Sequence, residues 1–227
     1  MNASFGSLVA ATDLGLAHRV LHPRAAGQGK SPCLILLHGV GGNEAGLIDF
    51  GLRQNPRLTV ILARGPLVFG PAQFGWFSVQ FTANGPQIKP DEAEHARQLL
   101  VHFLAQLPDT YGVDPDNLWI AGFSQGGIMS ASVALTRPEL VGGFGVLSGR
   151  ILPEIAPLIA GEQQLSELQA LVCHGRQDGK LPVSMAHASR ALLAQHKVPL
   201  TYREYDAVHE LSPQMQADFV DWLATRI

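Results

Sequence analysis

The sequence predicts one α/β domain, a mostly parallel sheet with helices on both faces. Two observations carry that expectation. Short continuous apolar runs alternate with stretches of helical periodicity from about residue 30 onward, and no linker, repeat or low-complexity tract interrupts them. The composition also suits a large core: 46% of the 227 residues are hydrophobic and 15% charged, where ~25% charged is usual for a soluble domain. A chain of this size hides roughly 70% of its surface on folding, enough for one core without disulfides or metals. Residues 1–227 are therefore read as a single domain.

The elements follow in order. Residues 4–22 read as an antiparallel hairpin at the sheet edge. Cys33-Leu34-Ile35-Leu36-Leu37 is apolar throughout, as expected for a strand covered on both faces. Leu58 to Ala63 is the second such run and leads into Gly65-Pro66, a loop signal. Residues 65–86 then read as a long Gly- and Pro-rich loop. Pro90, followed by Asp91, Glu92 and Glu94, presets a helical first turn with acids at the positive end of the dipole. Ala96, Leu100, Phe103, Leu104 and Leu107 give that helix one apolar face. Leu118 to Ala121, Gly143 to Leu147 and Leu171 to Cys173 are the third, fourth and fifth strands, and Thr201 to Tyr205 a sixth. Residues 150–167, with Pro153 and Pro157, read as a surface excursion. Ser212-Pro213 is an N-cap and first-turn pair for a last helix that buries Met215, Phe219, Trp222 and Leu223.

Charge and composition exclude several classes. Sixteen basic residues against nineteen acidic leave a formal charge of −3, so the chain lacks the basic footprint for nucleic acid or an anionic membrane. The stretch Met1 to Ala10 has neither the cationic flank nor the apolar core of a secretory leader. No apolar run is long enough to span a bilayer. Cys33 and Cys173 lie within apolar runs and read as buried thiols. The expectation is a cytoplasmic protein with a small-molecule substrate and no integral membrane contact; a homodimer is left open.

Chemistry concentrates at Gly122-Phe123-Ser124-Gln125-Gly126. The G-x-S-x-G pattern alone is weak in a Gly-rich chain, but here an apolar strand enters it and a helical pattern with Ile128, Met129, Val133 and Ala134 leaves it. Strand, sharp turn and helix are the context a nucleophile elbow demands. A serine hydroxyl needs a base to take its proton and an acid to orient that base. The acid candidate is Asp178, just beyond the fifth strand, and the base candidate is His209, beyond the last. Asp206 competes for the acid role but lies only three residues before His209. His38 and His174 each precede a Gly at a strand end and read as loop props. A metal site built from His38, His174 and His209 lacks carboxylates and ligand spacing. Acyl transfer also needs donors for a developing oxyanion. The backbone amides of Gln125 and of Val40, in the loop His38-Gly39-Val40-Gly41-Gly42-Asn43, are the candidates. Phosphate binding is the rival reading of this loop, but no Lys-Ser/Thr follows it.

Taken together, Leu37 to Glu44, Gly122 to Gly127, His174-Gly175-x-x-Asp178-x-x-Leu181-Pro182 and His209-Glu210 resemble the phospholipase/carboxylesterase group of α/β-hydrolases, which includes small carboxylesterases and acyl-protein thioesterases. The likeness covers about residue 30 to the end. It implies an α/β-hydrolase fold without a large lid, no cofactor or metal, Ser124, Asp178 and His209 as a triad, and Val40 and Gln125 as oxyanion donors. It also implies that Trp76 and Phe77, in a segment rich in aromatic residues, line an acyl pocket. Val208 departs from the pattern, since the family often has Gly before this histidine, and residues 150–167 carry no family signature.

The function implied is a serine carboxylic-ester hydrolase acting through an acyl-enzyme on short to medium acyl esters. Acyl thioesterase and lysophospholipase chemistry are the alternatives within hydrolases. A non-catalytic ligand-binding scaffold is the alternative from another class, and the intact Ser124, Asp178 and His209 set argues against it.

Overall fold

The computed structural model describes residues 4–12, 14–25, 27, 29–82 and 85–227. Residues 1–3, the start of the stretch that lacks leader features, and residue 13, inside the expected hairpin, lie outside them. Strands β1 (His18–Leu21), β2 (Ser31–Leu37) and β3 (Thr59–Ala63) come first, with a short helix α1 (Ile48–Leu52) between the last two. Helix α2 (Pro90–Tyr111), strand β8 (Val113–Phe123) and helix α3 (Gln125–Thr136) follow two small hairpins described below. The chain then alternates through β9 (Gly143–Leu147), α4 (Glu162–Leu165), β10 (Gln169–Gly175), α5 (Val183–Gln195), β11 (Leu200–Tyr205) and α6 (Pro213–Ala224).

Seven strands form one sheet in the order β1-β3-β2-β8-β9-β10-β11. All neighbours run parallel except β1, which lies antiparallel on β3. The six apolar runs are thus six of these strands. The expected N-terminal hairpin is reduced to β1 at the edge, with Val9 bridging His18 and Gly6 N–H donating to Val20 O.

Side chains alternate across each strand, so every central strand feeds two cores. Cys33, Ile35 and Leu37 join α2, α3 and α5 on one face; Leu34 and Leu36 join α1 and α6 on the other. Leu118 and Ile120 divide from Trp119 and Ala121 in the same way. Continuous apolar strands follow directly from this two-sided burial. The long helix ends where Gly112 takes the left-handed conformation (φ 64°), and α6 starts with Ser212 Oγ accepting Met215 N–H. No helix among the described residues is long and apolar enough to cross a membrane.

Two expectations need correction. Residues 65–86 are not one irregular loop. They form antiparallel pairs β4 (Leu67–Gly70) with β5 (Gln73–Gly75), and β6 (Val79–Thr82) with β7 (Gly85–Ile88). Ala72, between β4 and β5, takes a positive φ (58°), and so does Gly85 (φ 99°) at the start of β7. Residues 150–167 are not only a surface excursion, because Ile151, Leu152, Ile155 and Leu165 are buried in the α2–α3 core. The prolines that suggested a surface excursion punctuate a segment that its apolar residues pin down.

Candidate active site

Because the strands are parallel, their carboxyl ends share one edge, where open α/β sheets gather their functional loops. Ser124 leaves β8 there with φ 53° and ψ −117°, a conformation non-glycine residues avoid. Its N–H donates to Leu147 O on β9 at 2.8 Å. The flanking glycines are obligatory. A Cβ at Gly122 would stand 2.4 Å from the Gly126 carbonyl carbon, and one at Gly126 would stand 2.1 Å from Leu37 O. The G-x-S-x-G spacing is therefore a steric statement: the turn brings strand and helix backbones into contact.

Asp178 follows β10. Its Oδ1 accepts the N–H groups of Lys180 (2.9 Å) and Leu181 (2.8 Å), which fixes the carboxylate. Its Oδ2 lies 2.7 Å from His209 Nδ1 and 3.3 Å from His174 Nε2. A carboxylate only accepts, so His209 carries its proton on Nδ1 and leaves Nε2 free to accept. Ser124 Oγ–H donates to that nitrogen at 2.9 Å. The loops bearing Asp178 and His209 stay together because the β10–β11 pairing runs on past the sheet: Arg176 N–H donates to Tyr205 O and Gln177 N–H to Ala207 O. Gly175 permits this crossing, since a Cβ there would lie 2.3 Å from Ala207 O. Asp206 is turned away and accepts from Gln177 Nε2.

The loop after β2 is held from below. His38 Nε2 accepts Gly65 N–H at 2.9 Å, so Nδ1 bears the proton and donates to Gly39 O at 2.7 Å. Gly41 and Gly42 exchange backbone bonds with Phe74, both at 2.8 Å. Beside them Glu44 is buried, taking Arg64 in a fork (2.6 and 2.9 Å) and Arg19 at 3.1 Å. Burial alone would raise this carboxyl, but the two arginines overcome it and hold Glu44 below the usual carboxylate range. Among the described residues, the Val40 and Gln125 amides donate to no protein acceptor, and both residues line the cleft that holds Ser124.

His38 has a consequence for acid stability. Burial pushes its imidazole below the ordinary 6.5, against the opposing pull of its bond to Gly39. Below pH 6.5 the unfolded chain therefore binds a proton that the folded chain refuses. The stability from a neutral His38 is fully present above that pH and is lost as pH falls toward the folded value. Thermal melts from pH 7.5 to 5.5 should fall less steeply in His38→Gln, with His18, also lowered by burial, leaving part of the slope. Equal slopes would show that His38 takes no part.

The cleft beside Ser124 is narrow, with about 20 Å³ open to a water-sized molecule. Phe77 lines it, together with Val79, Phe81, Pro86 and Ile88 of the β6–β7 pair. Trp76 does not reach it: the ring is fully buried, and its Nε1–H donates to His38 O at 3.0 Å. The expectation that Trp76 is a wall residue is thus corrected, because the tryptophan supports the loop beneath. The second hairpin was missed as a wall, although its apolar alternation was a readable signal.

Gln125 also does more than sequence suggests. Its side chain accepts Trp76 N–H at 2.7 Å and donates to Phe77 O at 2.6 Å, all three groups buried. Gln125→Ala keeps the backbone amide but strands two buried polar groups, each at ~1–3 kcal/mol. The expected result is a Tm lower by on the order of 10 °C, with kcat within about threefold of wild type, where losing a donor would cost 10²–10³. A loss of that larger size would assign the work to the side chain.

A family model described as phospholipase/carboxylesterase matches residues 22–227. The chain belongs to that family. Membership makes it an enzyme, a serine hydrolase of the carboxylesterase kind with the α/β-hydrolase fold. It is 26% identical over 164 residues to a probable SOBER1-like carboxylesterase of Arabidopsis thaliana, covering 70% of this chain and 62% of that protein. It is 24% identical over 208 residues to acyl-protein thioesterase 1 of Kluyveromyces lactis, covering 84% and 90%. A carboxylesterase structure from Mesorhizobium loti shares the fold at a TM-score of 0.81 and 22% identity, covering 96% of this chain and 98% of that one.

Proposed function

We propose that this family member hydrolyses carboxylic esters through an acyl-enzyme, with Ser124 as nucleophile, His209 as base and then acid, and Asp178 as its orienter. The observation that carries the reading is the unbroken relay of 2.9 and 2.7 Å from Ser124 through His209 to Asp178. Ser124 Oγ attacks the carbonyl carbon as His209 Nε2 takes its proton. The oxyanion forms within reach of the Val40 and Gln125 amides, whose dipoles are set before the reaction. Collapse of the tetrahedral species breaks the ester C–O bond, and His209 protonates the departing alkoxide. Water, deprotonated by His209, then attacks the acyl-enzyme and releases the acid. Ser124, His209, Asp178 and both amides come from one copy, so the chemistry needs no dimer. No cofactor or metal has a step in it. The cytoplasm is the compartment proposed, in keeping with free buried Cys33 and Cys173.

The substrates proposed are short to medium acyl esters. The cleft is far smaller than the ~300–1,000 Å³ typical of small-molecule sites, and its wall is mainly apolar. Each methylene buried there adds up to about 0.8 kcal/mol, so kcat/KM climbs over the first carbons and levels off once the wall is covered. A p-nitrophenyl series from acetate to palmitate measures this, and Phe81→Ala should move the plateau. A maximum at palmitate would overturn the chain-length reading. Acyl thioesters are the second reading, favoured by the likeness to thioesterases, and a matched thioester series compares the two. Labelling by a fluorophosphonate probe in wild type, lost in Ser124→Ala, tests the nucleophile directly.

A further inference from the structure

The cleft beside Ser124 contains a cation that nothing in ester hydrolysis uses. Arg150 lines it, the one charged residue on a wall otherwise built from groups such as Phe77, Val79, Ile88, Ile128 and Leu181. Among the described residues its guanidinium has no hydrogen-bond or ion-pair partner, and its Nε is shut off from solvent. Arg19 and Arg64 hold Glu44 and Arg97 holds Glu94, while Arg226, whose Nε is likewise unbonded, still donates through Nη1 to Trp222 O.

Arg150 is also firmly placed. On one side, a Cβ at Gly149 would lie 2.9 Å from Ser124 O, so the backbone there rests against the nucleophile's own carbonyl. On the other, Ile151 N–H donates to Ser189 Oγ on α5 at 3.0 Å. Burial lowers the guanidinium from its ordinary value, with Glu154 drawing it back up. A charge desolvated beside apolar side chains costs folding free energy unless something compensates it, and here the compensation is the electrostatic pull of Glu154, without a hydrogen bond to its carboxylate.

We propose that Arg150 is a specificity-determining residue that receives an anionic group, a carboxylate on the acyl part of the substrate, so that the preferred esters are those of ω-carboxy acids. The proposal rests on the esterase reading. An apolar wall fits the methylenes of such an acyl chain, and a planar guanidinium without internal partners presents the fork that carboxylates fill. The Ser124 chemistry is unaltered; Arg150 fixes which acyl group reaches it.

The test compares p-nitrophenyl hexanoate with the mono-p-nitrophenyl ester of adipic acid, which match in chain length, on wild type, Arg150→Met and Arg150→Lys. A hydrogen-bonded charge contributes about 1.5–3 kcal/mol, which converts to roughly ten- to hundredfold in kcat/KM. The ratio of adipate to hexanoate kcat/KM should fall by that factor in Arg150→Met, chiefly through KM, and by less in Arg150→Lys. Hexanoate turnover should stay within about threefold. An unchanged ratio in Arg150→Met, or an equal loss on both esters, would overturn the proposal. Failure of the esterase reading looks different, since wild type would then show no Ser124-dependent hexanoate turnover at all.

Discussion

Ser124→Ala and His209→Ala are each expected to lower kcat by on the order of 10⁶-fold, and the double variant hardly further, because nucleophile and base act as one unit. The fold should survive. Alanine keeps a Cβ, so the strained backbone at Ser124 (φ 53°) is neither relieved nor worsened, and the one side-chain bond lost is the one to His209. Rates on p-nitrophenyl butyrate, with Tm measured alongside, check both halves. More than about a thousandth of wild-type activity in Ser124→Ala would reassign the nucleophile.

Asp178→Asn is expected to cost about 10⁴ in kcat. The carboxylate serves two sets of donors at once: the Lys180 and Leu181 amides on Oδ1 and His209 Nδ1 on Oδ2. An asparagine can offer its oxygen to one set only. The two backbone donors hold it, so its NH₂ faces His209 and selects the tautomer with the proton on Nε2. That ring cannot accept from Ser124. Asp206→Asn, whose carboxylate meets Gln177 instead, should be mild and is the control. A mild Asp178→Asn would send the orienting role elsewhere.

How legible this was depended on whether a constraint was local. Strands such as Cys33 to Leu37 are apolar on both faces and declare themselves by composition alone. Gly122 and Gly126 were readable because their spacing around Ser124 reflects the local contact of Gly122 with the Gly126 carbonyl, although Gly126 also rests on the distant Leu37 O. Asp178 and His209 followed from chain order, since each sits just past a recognisable strand. What stayed hidden was tertiary. Nothing near Gln125 in the sequence shows its amide reaching Trp76 and Phe77 about fifty residues away, so its side chain passed for an idle one. Trp76 was misplaced for the same reason: an aromatic cluster tells that rings are present, not which faces the cleft. Arg150 gave no signal either, because its distinction is the lack of a partner. Helices α1 and α5 were not foreseen, α1 being too short for its periodicity to speak.

The order of the sheet bears on how such an enzyme would wear out. His209 depends on β11, an edge strand whose neighbour in the sheet is β10 alone. Tyr205 OH donates to Asp218 on α6 at 2.7 Å, so strand and terminal helix are tied to each other. Ser124 stands instead at the middle of the sheet, between strands supported on both sides. Opening from an edge needs fewer contacts broken than opening at the centre. On heating, the base should therefore swing away with the β11–α6 unit while the nucleophile and its two amides remain in place. Activity would then decay ahead of the global melt and return on cooling, and operational half-life would follow the docking of the last strand and helix more than the strength of the main core.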